Sequence, residues 1–300
     1  MTDRYSTASS INGLVLKRYS GFYYVQSPDG ELFECKLRGK LQDDVILVGD
    51  RVQFTPTENG RGIVERVLPR DVQLRRPAIA NVNQVLVVMS FDQPEPNLKL
   101  LDRLLILVES LNLAAVIVLN KCDLPGNETV ATIRDYYHRI GYPVVVTSAA
   151  NGTGVKELNE VMSGKISVIA GPSGVGKSSL LNLLVPGQEL KTGQISRKLG
   201  RGRHTTRHVE LFPLPSGGWV ADTPGFTVVD NPPIKREDLA PLFIEFAEPS
   251  GNCRFLDCLH SGEVDCGVKA AVGDGIILAS RYQNYLTILG EIIEQERCYR

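Results

Sequence analysis

Eight consecutive residues, Gly171-Pro172-Ser173-Gly174-Val175-Gly176-Lys177-Ser178, carry the densest chemistry of the 300-residue chain. They follow an apolar run, Ile166–Ala170, and lead into Ser179-Leu180-Leu181-Asn182-Leu183-Leu184, which reads as a helix. A strand that turns through glycines into a helix N-terminus aims backbone amides and the positive end of the helix dipole at one spot, where phosphate oxygens bind. The glycines turn without a Cβ clash, Lys177 sets a charge against the outer phosphates, and the Ser178 hydroxyl can ligate Mg²⁺. With strand and helix both in place, a phosphate-binding P-loop is expected rather than a structural glycine turn.

A second constellation stands where the apolar run Ala114–Leu119 meets Asn120-Lys121-Cys122-Asp123. A carboxylate at the end of a buried strand can accept from the N1–H and the N2 amino group of guanine, donors that adenine lacks. A base that leaves such a site unpaired forfeits charge-assisted bonds of about 1.5–3 kcal/mol each, so discrimination is strong. Lys121 would lie along the base, Asn120 would brace neighbouring loops, and Thr147-Ser148-Ala149 after the next strand can offer a backbone amide to the guanine O6. The third piece, Trp219-Val220-Ala221-Asp222-Thr223-Pro224-Gly225, ends a short strand in an aspartate suited to holding Mg²⁺ through water. The Gly225 amide there can meet a γ-phosphate. Between the two lies Gly200-Arg201-Gly202-Arg203-His204-Thr205-Thr206-Arg207, a switch-like segment in which Thr206 could complete the Mg²⁺ shell.

A separate cluster, Cys253, Cys258, His260 and Cys266, gathers three thiolates and an imidazole within 14 residues. Such a set can fill a tetrahedral zinc shell and leaves no open position for catalysis. The surrounding stretch of about 70 residues, largely helical and including the amphipathic Leu278–Gln295, is too small for a secure core of its own. Zinc, worth about 10–16 kcal/mol in peptide sites, would decide whether it folds. Cys35, Cys122 and Cys298 read as isolated thiols.

The elements that must position these groups follow from patterning. Composition, 43 % hydrophobic and 22 % charged with a formal charge of −1, is that of a globular chain of two or three domains with no overall nucleic-acid signature. The polar Met1–Ser10 has no signal-peptide core behind it. No apolar run approaches the roughly 18 residues a membrane span needs, so a cytoplasmic protein without a membrane partner is expected. The first 70 residues alternate in five short runs, Gly13–Arg18, Gly21–Gln26, Glu31–Leu37, Arg51–Phe54 and Gly62–Leu68, with hairpin signals at Pro28-Asp29-Gly30 and Asn59-Gly60. An OB-type β-barrel fits, and a five-stranded SH3-like barrel fits as well. Arg61, Arg66, Arg70, Arg75 and Arg76, with Tyr19, Phe22, Tyr23 and Tyr24, are either an RNA-contacting surface or a solvated face over a core. Beyond Ala78 the pattern becomes strand and helix in alternation, with strands at Val85–Met89, Ala114–Leu119, Val144–Thr147 and Ile166–Ala170 and a helix over Leu98–Ser110. That alternation implies a mostly parallel sheet with its ligands at the C-terminal strand ends.

The order of the motifs is itself informative. The guanine motif precedes the P-loop, whereas in ordinary small GTPases it comes late; contacts rather than chain order define a site, so a circularly permuted chain can build the same one. This permutation behind a small barrel resembles the circularly permuted GTPases of the RsgA family, of YjeQ/YloQ type, over nearly the whole chain. The resemblance implies a multidomain protein: an N-terminal OB-type β-barrel (1–75), a central circularly permuted P-loop α/β GTPase domain (76–231) and a C-terminal, mostly helical zinc-binding domain (232–300). It implies GTP and GDP as ligands and one zinc on Cys253, Cys258, His260 and Cys266, whose Cys-x-His spacing matches the family. It further implies a role late in maturation of the small ribosomal subunit, with rRNA bound through barrel and zinc domain and hydrolysis stimulated by that subunit. Asn120–Asp123, Ser148, Ala149, Gly171–Ser179, Asp222 and Gly225 would bind GTP, and Ser178 and Thr206 would hold Mg²⁺. Phe226 stands where many GTPases carry the water-orienting glutamine. Slow intrinsic hydrolysis is therefore expected, and the resemblance suggests His204 as the residue that positions water. A monomer is the default expectation. An ATP-using P-loop kinase would leave Asn120–Asp123 unexplained, and a non-catalytic RNA-binding module would be indifferent to Lys177.

Overall fold

The computed structural model of the chain describes residues 9–39, 46–75, 77–187, 209–222 and 234–298. The five alternating runs form β1 (Ile11–Tyr19), β2 (Phe22–Gln26), β3 (Leu32–Leu37), β4 (Arg51–Thr57) and β5 (Arg61–Val67). Alternation places Val15, Val25, Phe33, Cys35, Val52, Phe54 and Val64 on one buried face. Glu58, Asn59 and Gly60 connect β4 to β5, closed by the Thr57–Arg61 pair, and Asn59 and Gly60 both take positive φ (61° and 67°), as Asn and Gly in hairpin turns do. The strand order decides between the two barrels that the pattern allows. It runs β1-β2-β3-β5-β4, with β3 parallel to β5 and β4 returning to β1, which is the Greek-key closure of an OB-type barrel.

The alternating region gives β6 (Gln73–Arg75), β7 (Ala78–Ala80), β8 (Gln84–Ser90), α1 (Leu98–Ser110), β9 (Ala114–Asn120), α2 (Glu128–Thr132) continuing into one π turn (Ile133–Tyr137), β10 (Val144–Val146), α3 (Val155–Met162), β11 (Ile166–Ala170), α4 (Lys177–Leu184), β12 (Glu210–Pro213) and β13 (Trp219–Asp222). All seven residues of β8 and all five of β11 are buried, as strands covered on both faces require. Asn97 caps α1, its side chain accepting from the Leu100 amide at 3.1 Å, and the expected stripe of Leu101, Leu104, Leu105 and Val108 is buried. The hairpin β6–β7, the short α2 and the strand β12 lie outside the sequence expectation. Each is too short for its period to register.

Contacts group the described residues into two compact units. The first draws on Met1–Gln84, Asn159–Ile169 and Leu184–Phe226; the second on Val85–Leu158, Ala170–Leu183 and Thr227–Arg300. Within the first, β11 pairs in parallel with β13, β13 antiparallel with β12, and β12 meets the barrel strand β1 at Lys17 and Glu210, whose side chains form a 3.1 Å ion pair. Within the second, β9 lies between β8 and β10 and runs parallel to β10.

The C-terminal stretch holds short 3₁₀ turns between Arg236 and Phe246, then α5 (Ala247–Ser250), α6 (Gly267–Gly273) and α7 (Ala279–Cys298). Its core of Leu239, Phe243, Phe246, Tyr285, Ile288, Leu289 and Ile292 also takes in Ile106 of α1. A buried polar network ties α7 to α1. Arg281 Nη1 donates to Asp102 Oδ1 at 2.6 Å, Arg281 also donates to both oxygens of Glu245, and Asn284 and Tyr137 donate to Asp102. Arg281 and Asp102 are fully buried, and the guanidinium lies 4.7 Å from the Phe243 ring centre and 5.3 Å from that of Tyr137. Burial works against its charge, but Asp102 and Glu245 outweigh that and hold it protonated. Among the described residues no helix is long and apolar enough to cross a membrane. Arg281→Met would leave two buried carboxylates without their cation. It should destabilise the second unit by about 3–5 kcal/mol, read as an earlier midpoint in urea; an unchanged midpoint would show that the network contributes nothing.

Candidate functional site

The P-loop is built by backbone close approach. Gly171 has φ +137°, and a Cβ there would stand 2.2 Å from the Val88 carbonyl oxygen; at Gly176, φ +92°, it would stand 2.3 Å from Asn120 Nδ2. Only glycine lets the turn lie this close to β8 and to the base motif. Val175 is buried beneath it, while Ser173, Gly174, Ser178 and Ser179 are exposed and Pro172 half-buried. Lys177, the first residue of α4, donates to the carbonyls of Gly171 (2.8 Å) and Pro172 (2.6 Å), which hold its ammonium over the loop. Burial lowers its pKa.

Asn120 joins the phosphate and base ends. Its Nδ2 donates to the Val175 carbonyl at 2.8 Å, and its Oδ1 accepts from the Thr147 hydroxyl (3.2 Å) and the Ala149 amide (3.1 Å). All of it is buried. The Ser148 hydroxyl donates to Asp123 Oδ1 and accepts from the Ala150 amide at 3.2 Å, which fixes the carboxylate while leaving Asp123 exposed. Lys121 takes a left-handed backbone (φ +66°), and the Cys122 amide donates to the Thr147 carbonyl at 3.1 Å. Asn120, Lys121, Cys122, Asp123, Ser148, Ala149 and Gly171–Ser179 thus lie in one unit, with an exposed carboxylate at one end and an exposed amide-rich turn at the other. Asp222 closes β13, in register with Glu210. His204, Thr206 and Gly225 lie outside the described residues.

The four proposed metal ligands do converge. The ligand atoms of Cys253, Cys258, His260 and Cys266 all fall within 4.8 Å of one another. Cys253 Sγ and Cys266 Sγ are 3.9 Å apart, and each is 3.5 Å from His260 Nδ1. Zn–S bonds of about 2.3 Å and a Zn–N bond of about 2.0–2.1 Å give tetrahedral edges of about 3.8 and 3.6 Å, so this donor set fits zinc. Burial lowers the pKa of His260 and keeps its imidazole in the neutral form a metal needs. Its other nitrogen, Nε2, faces Ser250 Oγ at 3.2 Å. The loop is anchored from α7: Tyr282 and Tyr285 donate to the carbonyls of His260 and Leu259, both at 2.6 Å.

On the barrel, the arginines divide by role. Arg70 makes a two-pronged pair with the buried Asp50 (2.6 and 2.8 Å), Arg66 donates to Gln53 while staying exposed, and Arg61 and Arg75 are exposed as well. Tyr23 is buried in the barrel core, Phe22 and Tyr24 are half-buried, and Tyr19 is exposed. Arg76 lies outside the described residues.

A P-loop coming after the guanine motif, on one α/β scaffold behind an OB-type barrel, defines a circularly permuted GTPase. The comparisons agree. A family model described as RsgA GTPase matches residues 67–232, and one described as RsgA N-terminal domain matches residues 12–64. The chain is 50 % identical over 291 residues to a protein of Moorella thermoacetica, covering 96 % of this chain and all of that one. It is 47 % identical to one of Alkaliphilus metalliredigens, covering 95 % and 99 %; both are named small ribosomal subunit biogenesis GTPase RsgA. Among solved structures, YjeQ from Thermotoga maritima superposes with a TM-score of 0.82 at 40 % identity, covering 95 % of this chain and 99 % of that one. YloQ, described as a circularly permuted GTPase, gives 0.82 at 35 %, covering 98 % and 99 %. The chain belongs to the RsgA GTPase family, and its activity is hydrolysis of GTP.

The Ser250–His260 contact supplies a test of the metal centre. Losing an outer-shell partner of a ligating histidine typically weakens metal binding about 10–100-fold. Ser250→Ala should do so in competition with a chromophoric chelator. Affinity equal to wild type would remove Ser250 from the site.

Proposed function

We propose that this GTPase serves in biogenesis of the small ribosomal subunit, working in the cytoplasm as a monomer, and that the small subunit stimulates its hydrolysis. The observation that supports this most is the full-length match to relatives named for that role, which takes in barrel, GTPase fold and C-terminal cluster together. In this reading the boundaries fall near residues 75 and 231, and rRNA is bound through the barrel and the zinc region. Within residues 1–75 the exposed Arg61, Arg66, Arg75 and Tyr19 are among the residues open to such contact.

Gly171–Ser179 hold the phosphates of GTP, with Lys177 on the outer ones and Gly225 meeting the γ-phosphate. Asp123 reads the guanine N1–H and N2 amino group, Lys121 lies along the base, and Asn120, Ser148 and Ala149 keep the two loops in register. Ser178 and Thr206 hold Mg²⁺, assisted by Asp222, and the ion supplies charge neutralisation on the phosphates. Phe226 offers no hydrogen bond to water, so His204 orients the attacking water when the subunit is bound. One zinc per chain, on Cys253, Cys258, His260 and Cys266, holds the C-terminal region together. Loss of the γ-phosphate shifts this region relative to the barrel and releases the protein from RNA.

Asp123→Asn should cost about 3 kcal/mol of GTP affinity, roughly a hundredfold, by removing two charge-assisted hydrogen bonds. It should raise affinity for xanthosine triphosphate; unchanged base preference in a competition assay would displace Asp123 from the site. GTP turnover should rise on adding small subunits but not large ones, and His204→Ala should lower the stimulated rate about 100-fold. Equal turnover with and without small subunits would overturn the ribosomal reading, and full stimulation of His204→Ala would remove that residue from the mechanism.

A further inference from the structure

The seven residues from Phe91 to Asn97, between β8 and α1, belong to none of the three nucleotide motifs, yet their contacts reach both ends of the site. The Phe91 amide donates to the Asn120 carbonyl at 2.8 Å. The Lys121 ammonium donates to the Gln93 carbonyl. Pro94 lies against the P-loop, its Cδ 3.5 Å from where a Cβ on Gly174 would stand. The segment is itself held at three points. The fully buried Ser90 donates its hydroxyl to the Pro94 carbonyl, Asn127 Nδ2 donates to Glu95 Oε1 at 2.8 Å, and Asn97 is committed to the cap of α1. Gln93 (φ +51°) and Lys121 (φ +66°), the two partners of one hydrogen bond, both have left-handed backbones, a conformation that persists in non-glycine residues only where the surroundings impose it.

We propose that Phe91–Asn97 is a positioning wall of the nucleotide site, with Ser90 and Glu95 as the residues that set how long a guanine nucleotide stays bound. The proposal rests on the assignment of Lys121 and the P-loop to GTP. The physical reason is pre-organisation. Lys121 sits on a long side chain whose freedom must be lost when it lies along the base, and the Gln93 carbonyl removes that freedom beforehand. Pro94 likewise backs Gly174, the exposed apex of the turn that carries the phosphate-binding amides. Ser90 and Glu95 touch no nucleotide in this scheme. They act by keeping Gln93 and Pro94 where they are, so their effect should appear in release of GDP and of a GTP analogue alike, with the choice of base unaltered.

The experiment is release of a fluorescent GDP from the full chain, followed by stopped flow, for wild type, Ser90→Ala, Glu95→Ala and Glu95→Gln. Ser90→Ala and Glu95→Ala should each speed release about fivefold, the net worth of one hydrogen bond. Glu95→Gln, which keeps an oxygen for Asn127, should stay near wild type. Glu95 is exposed, so its variants should melt with the wild-type protein even if loss of the buried Ser90 hydroxyl lowers stability. Release rates for Glu95→Ala and Ser90→Ala within twofold of wild type would overturn the proposal while leaving the guanine site intact, as would a Glu95→Gln variant as fast as Glu95→Ala. A wild-type chain that binds no guanine nucleotide would overturn the underlying assignment and this proposal with it.

Discussion

The Asn120 carboxamide is the joint on which the nucleotide site depends. It is fully buried, so each of its polar atoms must find a partner within the protein or carry a desolvation penalty of about 1–3 kcal/mol. Those partners come from the P-loop on one side and the Thr147–Ala149 turn on the other. Two loops separated by more than 20 residues of chain are thereby fixed to one planar group with no freedom to drift apart. The near contact of Gly176 with the same Nδ2 explains why that position takes a residue without a side chain. A carboxylate and a phosphate cradle set at a constant separation are what a ligand with a base at one end and phosphates at the other requires.

Circular permutation leaves this joint untouched because the joint is made of contacts. What changes is the chain's route. The P-loop now follows the base motif, and the segment after β13 leads on to the C-terminal region rather than to further strands of the GTPase fold. That region is bound to α1 by charge as well as by apolar packing. The carbonyls beside His260 accept from two tyrosines of α7, and the same helix presents Arg281 to Asp102 of α1. A cluster suited to zinc and a helix of the nucleotide-binding fold are therefore attached to a single rigid rod.

Legibility in the sequence followed the range of the signal. Strands and helices with clear periods, such as α1, β9 and β11, were readable to within a residue or so because burial imposes their pattern. The site motifs were readable because phosphate, guanine and zinc each demand particular residue types at fixed spacing. Pattern alone left OB and SH3-like barrels open, since both have five short strands; only the return of β4 to β1 and the parallel β3–β5 pair distinguish them. Nothing local marks Arg70 as the partner of Asp50 rather than a free cation on an RNA-facing surface. Arg281 likewise reads as a polar residue on an amphipathic helix, because what buries it is far away in the chain. The Phe91–Asn97 segment has no period and no motif, and its importance is visible only as a set of contacts.

The same distance has a temporal side. Asp102 and Arg281 are 179 positions apart, so a ribosome that has just finished α1 must add most of the remaining chain before the cation for that carboxylate emerges. Until then the Asp102 carboxylate can accept from the Tyr137 hydroxyl, 35 positions further on, but has no cation beside it. The buried network between α1 and α7 is therefore complete only once the C-terminal helix has been made. The late arrival of Arg281 thus makes neutralisation of Asp102 a step that waits on the synthesis of α7.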